Sequence, residues 1–245
     1  MLDIIDSTNN YLKRLECDGD ETIVVTAEYQ QAGRGQVGNH WEAAAGKNLL
    51  FSLMLRPRTV AAAQMFVLSE AISLSIVEAL PAVPQWGGAL IKWPNDIYYK
   101  DRKVAGILIE NTLVGTTVAR SVVGCGININ QEVFCSDAPN PISLRQMTGV
   151  EVSRTEILED ILQRFIARCE RLEQGSEAER KCEMQMLHRC YLDRLYRREG
   201  MHPYRDAEGP FVARIHDVEP DGHLILEDTE GKCRRYAFKE VEYCL

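Results

Sequence analysis

The sequence predicts an α+β fold in which a mixed β-sheet with flanking helices is followed by a small C-terminal β-barrel. Three observations predict it. Strand-like segments are grouped between residues 89 and 126, whereas a parallel βαβ sheet would alternate strands and helices regularly. A long amphipathic helix precedes this group, and two further helices follow it. After Gly200 the composition changes to short strands and turns, and a tail of about forty residues is the size of a small barrel.

The first half of the predicted sheet follows from local composition. β-Branched and aromatic residues predict a strand over Thr22–Tyr29, which leads directly into a glycine-rich segment, Gly33–Gly38. Leu49–Leu55 is predicted as a second strand. Apolar residues three to four positions apart then predict a helix over Val60–Leu80, and Pro81 ends it.

The later elements complete the fold. Asp101-Arg102 is a tight polar link that indicates an antiparallel hairpin, and Ser153 with Glu156 matches a capping box. The predicted strands are Ala89–Lys92, Ile97–Lys100, Lys103–Asn111, Thr117–Cys125, Phe211–Ile215, His223–Glu227 and Cys233–Phe238, and the predicted helices start at Arg154 and span Glu177–Arg198. We place a boundary near residue 200, which gives an N-terminal domain over residues 1–200 and a C-terminal domain over residues 201–245.

Composition excludes several classes of protein. A net charge of -8 over 245 residues is the wrong sign for a chain that binds phosphate backbones. The longest apolar stretch, residues 61–80, is interrupted by polar side chains, and no secretory signal opens the sequence, so no membrane partner is expected. The eight cysteines are scattered and predict reduced thiols in a cytoplasmic protein. Cys182, His188 and Cys190 do not match zinc-ligand spacing.

The segment Gly33–Gly38 formally matches the dinucleotide fingerprint G-x-G-x-x-G. The match fails on context, because no helix opens at the third glycine and no acidic residue lies between Glu42 and Glu70. A flexible loop remains, in which Arg34 can grip a carboxylate or phosphate and Trp41 can pack on a flat ring. Such a loop suits a nucleotide-linked acid; the alternative is a solvated hairpin in which Arg34 has no role.

Two further segments carry polar groups in patterns that suit phosphate chemistry. Lys92 and Lys103 flank Asn95 and Asp96 and can supply positive charge, hydrogen bonds and a magnesium ligand. The alternative is a hairpin with solvated ends. Gly124–Asn130 either lets two elements pack closely or brings backbone against a ligand, with Asn128 reading a base edge.

Together these segments resemble the biotin protein ligase family, also called the biotin-[acetyl-CoA-carboxylase] ligases. Four blocks in order carry the resemblance over roughly residues 5–130: Ser7-Thr8-Asn9, Glu28–Gly35 with Trp41, Lys92–Leu108 and Gly124–Asn128. The resemblance implies a catalytic domain related to class II aminoacyl-tRNA synthetases and an SH3-like C-terminal domain. It also implies that biotin and ATP form biotinyl-5′-AMP, from which biotin passes to a lysine of a biotin carboxyl carrier domain.

The resemblance also implies a site, residue by residue. Arg34 and Lys103 are expected to meet the carboxylate and the α-phosphate, and Ser7 and Thr8 to bind the ureido ring or else to cap the helix from Asn9. The implied biotin contacts are Ser7, Thr8, Asn9, Gln30, Gly33, Arg34, Gly35, Gln36, Lys103, Gly106 and Gly126. The implied ATP contacts are Arg34, Trp41, Asn95, Asp96, Lys103 and Asn128, and the implied catalytic residues are Arg34, Lys103, Lys92 and Asp96. Mg²⁺ is implied as a cofactor, without assigned ligands.

One departure from the family pattern concerns the loop. Many members have an arginine where this sequence has Gln36, and that arginine helps to close the loop over the intermediate, so looser retention of biotinyl-AMP is predicted. Some members carry an N-terminal DNA-binding domain. Because the first motif here begins at Ser7, no such domain and no operator binding are expected. Members occur as monomers and as dimers, so a homodimer stays open.

Two rival functions remain. Lipoate protein ligases share the fold and the adenylation chemistry, but the Gly33-Arg34-Gly35 loop and the segment Lys92–Asp96 favour biotin. A non-catalytic module that senses biotin or sequesters the carrier is a rival from a different class. The presence of both Arg34 and Lys103 disfavours it.

Overall fold

The central element of the computed structural model, which describes residues 1–17, 19–36, 39–136 and 138–244, is a seven-stranded sheet. Its strands are β1 (Leu2–Ile5), β2 (Ile23–Gln30), β3 (Leu49–Leu55), β4 (Leu90–Lys92), β5 (Asp96–Tyr99), β6 (Arg102–Val114) and β7 (Thr117–Ile127). Their spatial order is β1-β2-β3-β7-β6-β5-β4. The pair β1 and β2 is parallel and the other neighbours are antiparallel, so the predicted mixed sheet is confirmed.

Five helices accompany this sheet: α1 (Thr8–Arg14), α2 (Val67–Ala79), α3 (Leu144–Thr148), α4 (Arg154–Gln174) and α5 (Glu177–Asp193). The prediction for α2 began too early, because a short 3-10 turn comes first and the Ala62 N–H bonds to Thr116 O at 2.8 Å. The prediction for α5 ran too far. Its chain leaves the helix because Arg194 O accepts a hydrogen bond from Ile91 N–H, at 2.8 Å, beside β4. At the start of α4, Ser153 Oγ accepts from Glu156 N–H at 3.3 Å, which is one of the two bonds of a capping box.

The core lies between the sheet and α2. Every residue of β3 is buried, as expected for a strand covered on both faces, and its predicted bounds are confirmed. Residues Ala62–Ala79 have the length and apolar composition of a membrane span, but 61% of that stretch is buried inside the fold. A core helix between a sheet and other helices has this pattern of burial, and α4 and α5 both pack on α2.

A second sheet follows α5. Its strands are β8 (His202–Asp206), β9 (Gly209–Val218), β10 (Leu224–Asp228), β11 (Cys233–Tyr236) and β12 (Glu242–Tyr243), in the order β11-β10-β9-β8-β12, all antiparallel. It packs against the β4–β5 hairpin, where Trp93 Nε1 donates to Gly222 O at 2.9 Å. Gly222 is required there, because its φ is +95° and a Cβ would lie 2.7 Å from Phe66 Cδ2. The C-terminal sheet is thereby fixed beside the Lys92–Asp96 segment.

His188 connects helix α2 to strand β9 through hydrogen bonds with two carboxylates. Its Nδ1 lies 2.8 Å from Glu70 Oε1 on α2, and its Nε2 lies 3.0 Å from Asp217 Oδ1 on β9. The hydrogen bond with Glu70 raises the pKa of His188, and burial raises the pKa of Glu70. Both ring nitrogens are therefore engaged, and the neighbouring thiols of Cys182 and Cys190 are exposed.

We expect the folded state to lose stability as pH rises through the pKa of His188. A raised folded-state pKa means that the native protein binds the proton more tightly than the unfolded chain, and the raised pKa of Glu70 acts in the same direction. The thermal midpoint should fall between about pH 6 and about pH 8. In the double variant Glu70→Gln/His188→Gln this decline should be smaller, because both groups with a raised pKa are removed while the other four histidines are common to both proteins. Equal declines in the two proteins would contradict the assignment.

Candidate functional site

A cavity of about 700 Å³ lies where the exposed ends of β4, β5, β6 and β7 meet α1, the loop after β2 and the last strand of the C-terminal sheet. It collects most of the residues that the sequence predicted as a site. Those that line it are Ser7, Thr8, Asn9, Gln30, Arg34, Gly35, Gln36, Trp41, Lys92, Asn95, Asp96, Lys103, Gly106 and Gly126. Volume and lining are those of a small-molecule site.

One end of the cavity is uncharged and polar. Thr8 N–H donates to Gln30 Oε1 at 2.7 Å, and the Thr8 hydroxyl lies 3.0 Å from the same oxygen. The buried hydroxyl of Ser52, which sequence reasoning missed, lies 2.7 Å from Thr8 Oγ1 and 2.6 Å from Asn9 Oδ1. Ser7 occupies the N-cap position of α1 but its side chain makes no capping bond, so the capping alternative for Ser7 is wrong. These hydroxyl and amide groups can hydrogen-bond a neutral polar ring.

Asn9 reaches this end because the facing residue is a glycine. A Cβ on Gly124 would lie 2.0 Å from Asn9 Oδ1, so any other residue would displace the amide. Asn9 Nδ2 donates to Leu108 O at 3.3 Å and to Glu110 Oε2 at 3.0 Å. The amide is held between β6 and β7.

Arg34 is paired with a carboxylate that the sequence did not single out. Its Nη2 lies 3.2 Å from Glu110 Oε1, and its Nη1 donates to Asn10 Oδ1 at 2.9 Å. Partial burial favours the neutral acid of Glu110, but hydrogen bonds from Lys13 and Asn9 and the charge of Arg34 outweigh it and lower its pKa. Glu110 stays ionised and holds the loop arginine at the rim.

The two lysines that were predicted from the hairpin both line the cavity, in different surroundings. Lys103 Nζ lies 2.6 Å from Asp96 Oδ1. Lys92 is enclosed by aromatic rings, and burial lowers its pKa, with the charges of Lys103 and Arg197 acting in the same direction and Asp96 opposing. They give this end of the cavity two cationic side chains, whereas Arg34 lines the cavity beside α1, where Glu110 and Asn10 hold it.

Trp41 lies over the glycines of β6 and β7. A Cβ on Gly126 would lie 2.4 Å from Trp41 Nε1, and a Cβ on Gly106 would lie 2.9 Å from Trp41 Cζ3. The indole also lies under Lys103, whose Nζ is 5.7 Å from the ring centroid. Trp41 Nε1 is buried and has no hydrogen-bond partner among the described residues. The two glycines thus make a flat floor that the Trp41 indole covers, and a ligand ring can pack on the indole.

Two predicted residues do not line the cavity. Gly33 lies in the neck of the loop, where its O accepts from Trp41 N–H at 3.0 Å and a Cβ would lie 2.5 Å from Trp41 O. Asn128 is 3% exposed, and its backbone is bonded to Val104 O and Leu144 N–H. Asn95 does line the cavity, but its amide donates to Ile107 O, which ties the hairpin together. Residues 37 and 38 of the predicted loop lie outside the described residues.

The C-terminal sheet contributes a wall that sequence reasoning missed. Its lining residues are Phe238, Lys239, Val241, Glu242 and Tyr243. No local motif marks them, because they reach the site through tertiary packing, which includes Trp93 on the turn at Gly222 and Tyr196 against Tyr243. The cavity therefore suits an elongated ligand that has a neutral polar ring at one end and an anionic group at the other.

Elsewhere among the described residues, two groups of side chains could in principle hold a metal ion. They are His216 with Glu227 and Cys233, and Glu219 with Asp221 and His223. Each already contains a guanidinium: Arg214 Nη2 lies 2.9 Å from Glu227 Oε2, and Arg235 Nε lies 2.6 Å from Glu219 Oε2. Neither group adds to the cavity.

Comparison with known proteins places the chain among ligases. The model of the biotin/lipoate A/B protein ligase family matches residues 1–128. The biotin–[acetyl-CoA-carboxylase] ligase of Paracoccus denitrificans is 37% identical over 175 residues, which cover 69% of this chain and 71% of that protein. The bifunctional ligase/repressor BirA of Salmonella typhimurium is 35% identical over 176 residues, 71% of this chain and 54% of that protein. The chain thus spans about half the length of the first curated relatives it matches.

Solved structures show the same fold. The biotin protein ligase from Aquifex aeolicus, determined in complex with biotin and ATP, matches with a TM-score of 0.77 at 23% identity. The match covers 99% of this chain and 97% of that one, so it includes both sheets.

Proposed function

The chain belongs to the biotin/lipoate A/B protein ligase family, and from that premise we propose that it activates biotin with ATP and transfers it to a biotin carboxyl carrier domain. The observation that carries the proposal is convergence: four blocks that are far apart in sequence, represented by Ser7, Gln30, Lys103 and Gly126, line one cavity. A neutral polar end, the Trp41 indole packed on the two glycines and a cationic end match the ureido ring, the bicyclic body and the carboxylate of biotin, respectively.

In the first step a carboxylate oxygen of biotin attacks the α-phosphorus of ATP. The bond to the bridging oxygen breaks, pyrophosphate leaves, and biotinyl-5′-AMP remains. Arg34 and Lys103 draw the carboxylate to the α-phosphate and stabilise the charge that develops on its oxygens. Asp96 orients Lys103, to which it is paired at 2.6 Å.

In the second step the ε-amine of a carrier lysine attacks the carbonyl of the mixed anhydride. The amide forms, AMP leaves with the electron pair of the broken C–O bond, and the amine loses a proton. The protein forms no covalent bond to biotin. Its contribution is positioning and the exclusion of water from the anhydride.

Mg²⁺ fits the donor set at the cationic end. Asp96 and Glu242 are the carboxylates that line the cavity, and carboxylate and phosphate oxygens are the ligands that magnesium prefers. When bound with the nucleotide, the ion would offset the negative charge of the phosphates.

The fold, partners and location extend the same proposal. We assign residues 1–200 to a catalytic domain related to class II aminoacyl-tRNA synthetases and residues 201–245 to an SH3-like domain. The carrier domain of a biotin-dependent carboxylase is the proposed protein partner. Eight free cysteines suit a reducing cytoplasm.

The decisive experiment measures the MgATP-dependent transfer of labelled biotin to an isolated carrier domain. A parallel reaction measures the transfer of lipoic acid to a lipoyl domain. We expect labelling of the carrier lysine with biotin alone, because the hydroxyl and amide groups around Thr8 and Gln30 can hydrogen-bond a ureido ring, whereas a dithiolane ring offers them no polar partner. Transfer of lipoic acid instead would assign the rival ligase activity. Tight binding of biotinyl-AMP without transfer of either acid would assign a sensor or sequestering module.

Gln36 provides a prediction about the intermediate. This residue lines the cavity at the place where many family members have an arginine, and an amide cannot pair with a phosphate as a guanidinium does. We expect Gln36→Arg to release less free biotinyl-AMP per turnover than the native protein. The measurement is chromatography of labelled adenylate with and without carrier. Equal release from both proteins would remove Gln36 as the cause of loose retention.

A further inference from the structure

Lys92 lies between two tyrosine rings that come from different parts of the chain. Its Nζ is 5.3 Å from the ring centroid of Tyr98, in the same hairpin, and 5.0 Å from that of Tyr243. Tyr243 belongs to β12, the last strand of the C-terminal sheet. The ammonium group thus faces aromatic surfaces from both sheets, at distances typical of cation–π contacts.

Packing holds the Tyr243 ring in place. It meets Tyr204 edge to face with centroids 5.0 Å apart, and it stacks on Tyr196 at 6.3 Å. Its hydroxyl is buried and has no hydrogen-bond partner among the described residues. Burial raises the pKa of Tyr243 well above its usual value, so the phenol stays neutral. The ring is therefore a fixed, uncharged face, and its hydroxyl is not needed for that role.

Lys92 differs from the other predicted catalytic cations because it is not paired with a carboxylate among the described residues. Arg34 pairs with Glu110 and Lys103 pairs with Asp96. Within the described part of the chain, no carboxylate oxygen lies within ion-pair distance of Lys92, although Asp96 is near enough to favour its charge. The positive charges of Lys103 and Arg197 disfavour the charged form of Lys92. Lys239 and Glu242 line the same cavity. A partly desolvated cation without a paired carboxylate interacts strongly with an incoming polyphosphate.

We propose that Tyr243 is a positioning residue that, together with Tyr98, holds the Lys92 ammonium in the cavity for the phosphates of ATP. The inference rests on the proposed function and deepens it, because it makes the C-terminal sheet part of the nucleotide site. Without the Tyr243 ring, the flexible side chain of Lys92 keeps its charge, but its ammonium group is no longer held in one orientation. The contribution falls on ATP, because the proposed function assigns the carboxylate of biotin to Arg34 and Lys103 and not to Lys92.

The test compares Tyr243→Leu with Tyr243→Phe in the full chain. Leucine fills the space without a π-face, whereas phenylalanine keeps the face and removes only the unpartnered hydroxyl. We expect Tyr243→Leu to raise KM for ATP by about tenfold, the effect of losing one partly buried cation–π contact, and to leave KM for biotin unchanged. Tyr243→Phe should match the native protein. An unchanged KM for ATP in the leucine variant, or equal increases in both KM values, would overturn the proposal.

A second measurement does not depend on catalysis. The pH dependence of Lys92 acetylation, read by peptide mass spectrometry with exposed Lys181 as internal standard, gives the apparent pKa of Lys92. In Tyr243→Leu the π-face is lost without added water, which should lower the pKa of Lys92 further. In Tyr243→Phe the pKa of Lys92 should be unchanged. Lys181 should not be affected in either variant. Inorganic tripolyphosphate should protect Lys92 from acetylation in the native protein. If the native protein makes no biotinyl-AMP, the proposed function fails, and these labelling results still decide whether Tyr243 positions Lys92.

Discussion

Replacing Lys103 by alanine is expected to lower the rate of biotinyl-AMP formation by about 10²–10³, the usual cost of removing one charged contact to a transition state. Lys103 is paired with Asp96 at 2.6 Å and lies above the Trp41 ring, so its ammonium is fixed at the cationic end of the cavity. The substitution also leaves the Asp96 carboxylate without its counter-charge, facing the phosphates. Both effects act on the same step, and pyrophosphate release at saturating biotin and ATP measures it.

The matched control is Lys181→Ala, which removes one positive charge from the exposed surface of α5. It should leave adenylation unchanged, because surface substitutions away from such contacts have small effects. A second comparison is transfer from pre-formed biotinyl-AMP, where Lys103→Ala should lose less than in adenylation. If Lys103→Ala and Lys181→Ala adenylate biotin at the same rate, Lys103 is not the phosphate-facing cation.

Gly126→Ala is expected to weaken biotin binding by about 10- to 100-fold, which corresponds to an overpacking cost of about 1–3 kcal/mol. A single added methyl group would lie 2.4 Å from Trp41 Nε1 and Cε2, so either the indole leaves the floor or the strand shifts. In both cases the flat surface formed with Gly106 is lost. Calorimetry with biotin alone measures the effect without the nucleotide.

Gly88→Ala is the control for this substitution. A Cβ there would have no neighbour closer than 4.0 Å, and the residue does not have a left-handed conformation. Thermal unfolding of both variants separates a blocked floor from a weakened sheet, because β7 is paired on both sides. Native affinity in a folded Gly126→Ala would show that the ligand does not use the glycine floor.

Sequence reasoning located the sheet better than the helix ends. Leu49–Leu55 has the same bounds in sequence and structure because a fully buried strand is a continuous apolar run between polar residues. The hairpin turn at Lys100-Asp101 was predictable from its polar residues. The start of α2 and the end of α5 were not, because both depend on backbone hydrogen bonds to distant segments, such as Ile91 N–H to Arg194 O.

In the candidate site, too, the residues marked by local motifs were predictable and those placed by tertiary contacts were not. Residues such as Gln30 and Lys103 were predictable because they belong to motifs whose residue types fit the chemistry of the site. Both line the cavity. Glu110 was missed, since it meets Arg34 across 76 residues of chain and belongs to no motif. Tyr243 was missed because its position depends on the packing of a second sheet. Asn128 does not line the cavity and its contact with ATP stays a prediction, because a glycine-rich segment leaves open which residue faces a ligand.

The pairing of Arg34 with Glu110 and of Lys103 with Asp96 makes ligand binding an exchange of counter-ions. An incoming carboxylate or phosphate competes with an internal carboxylate for each cation, so the number of ion pairs changes little and the net attraction is moderate. When pyrophosphate or AMP departs, the same internal carboxylates recapture these two cations, and neither of them is left unpaired. A site built in this way favours repeated turnover over tight retention of its products.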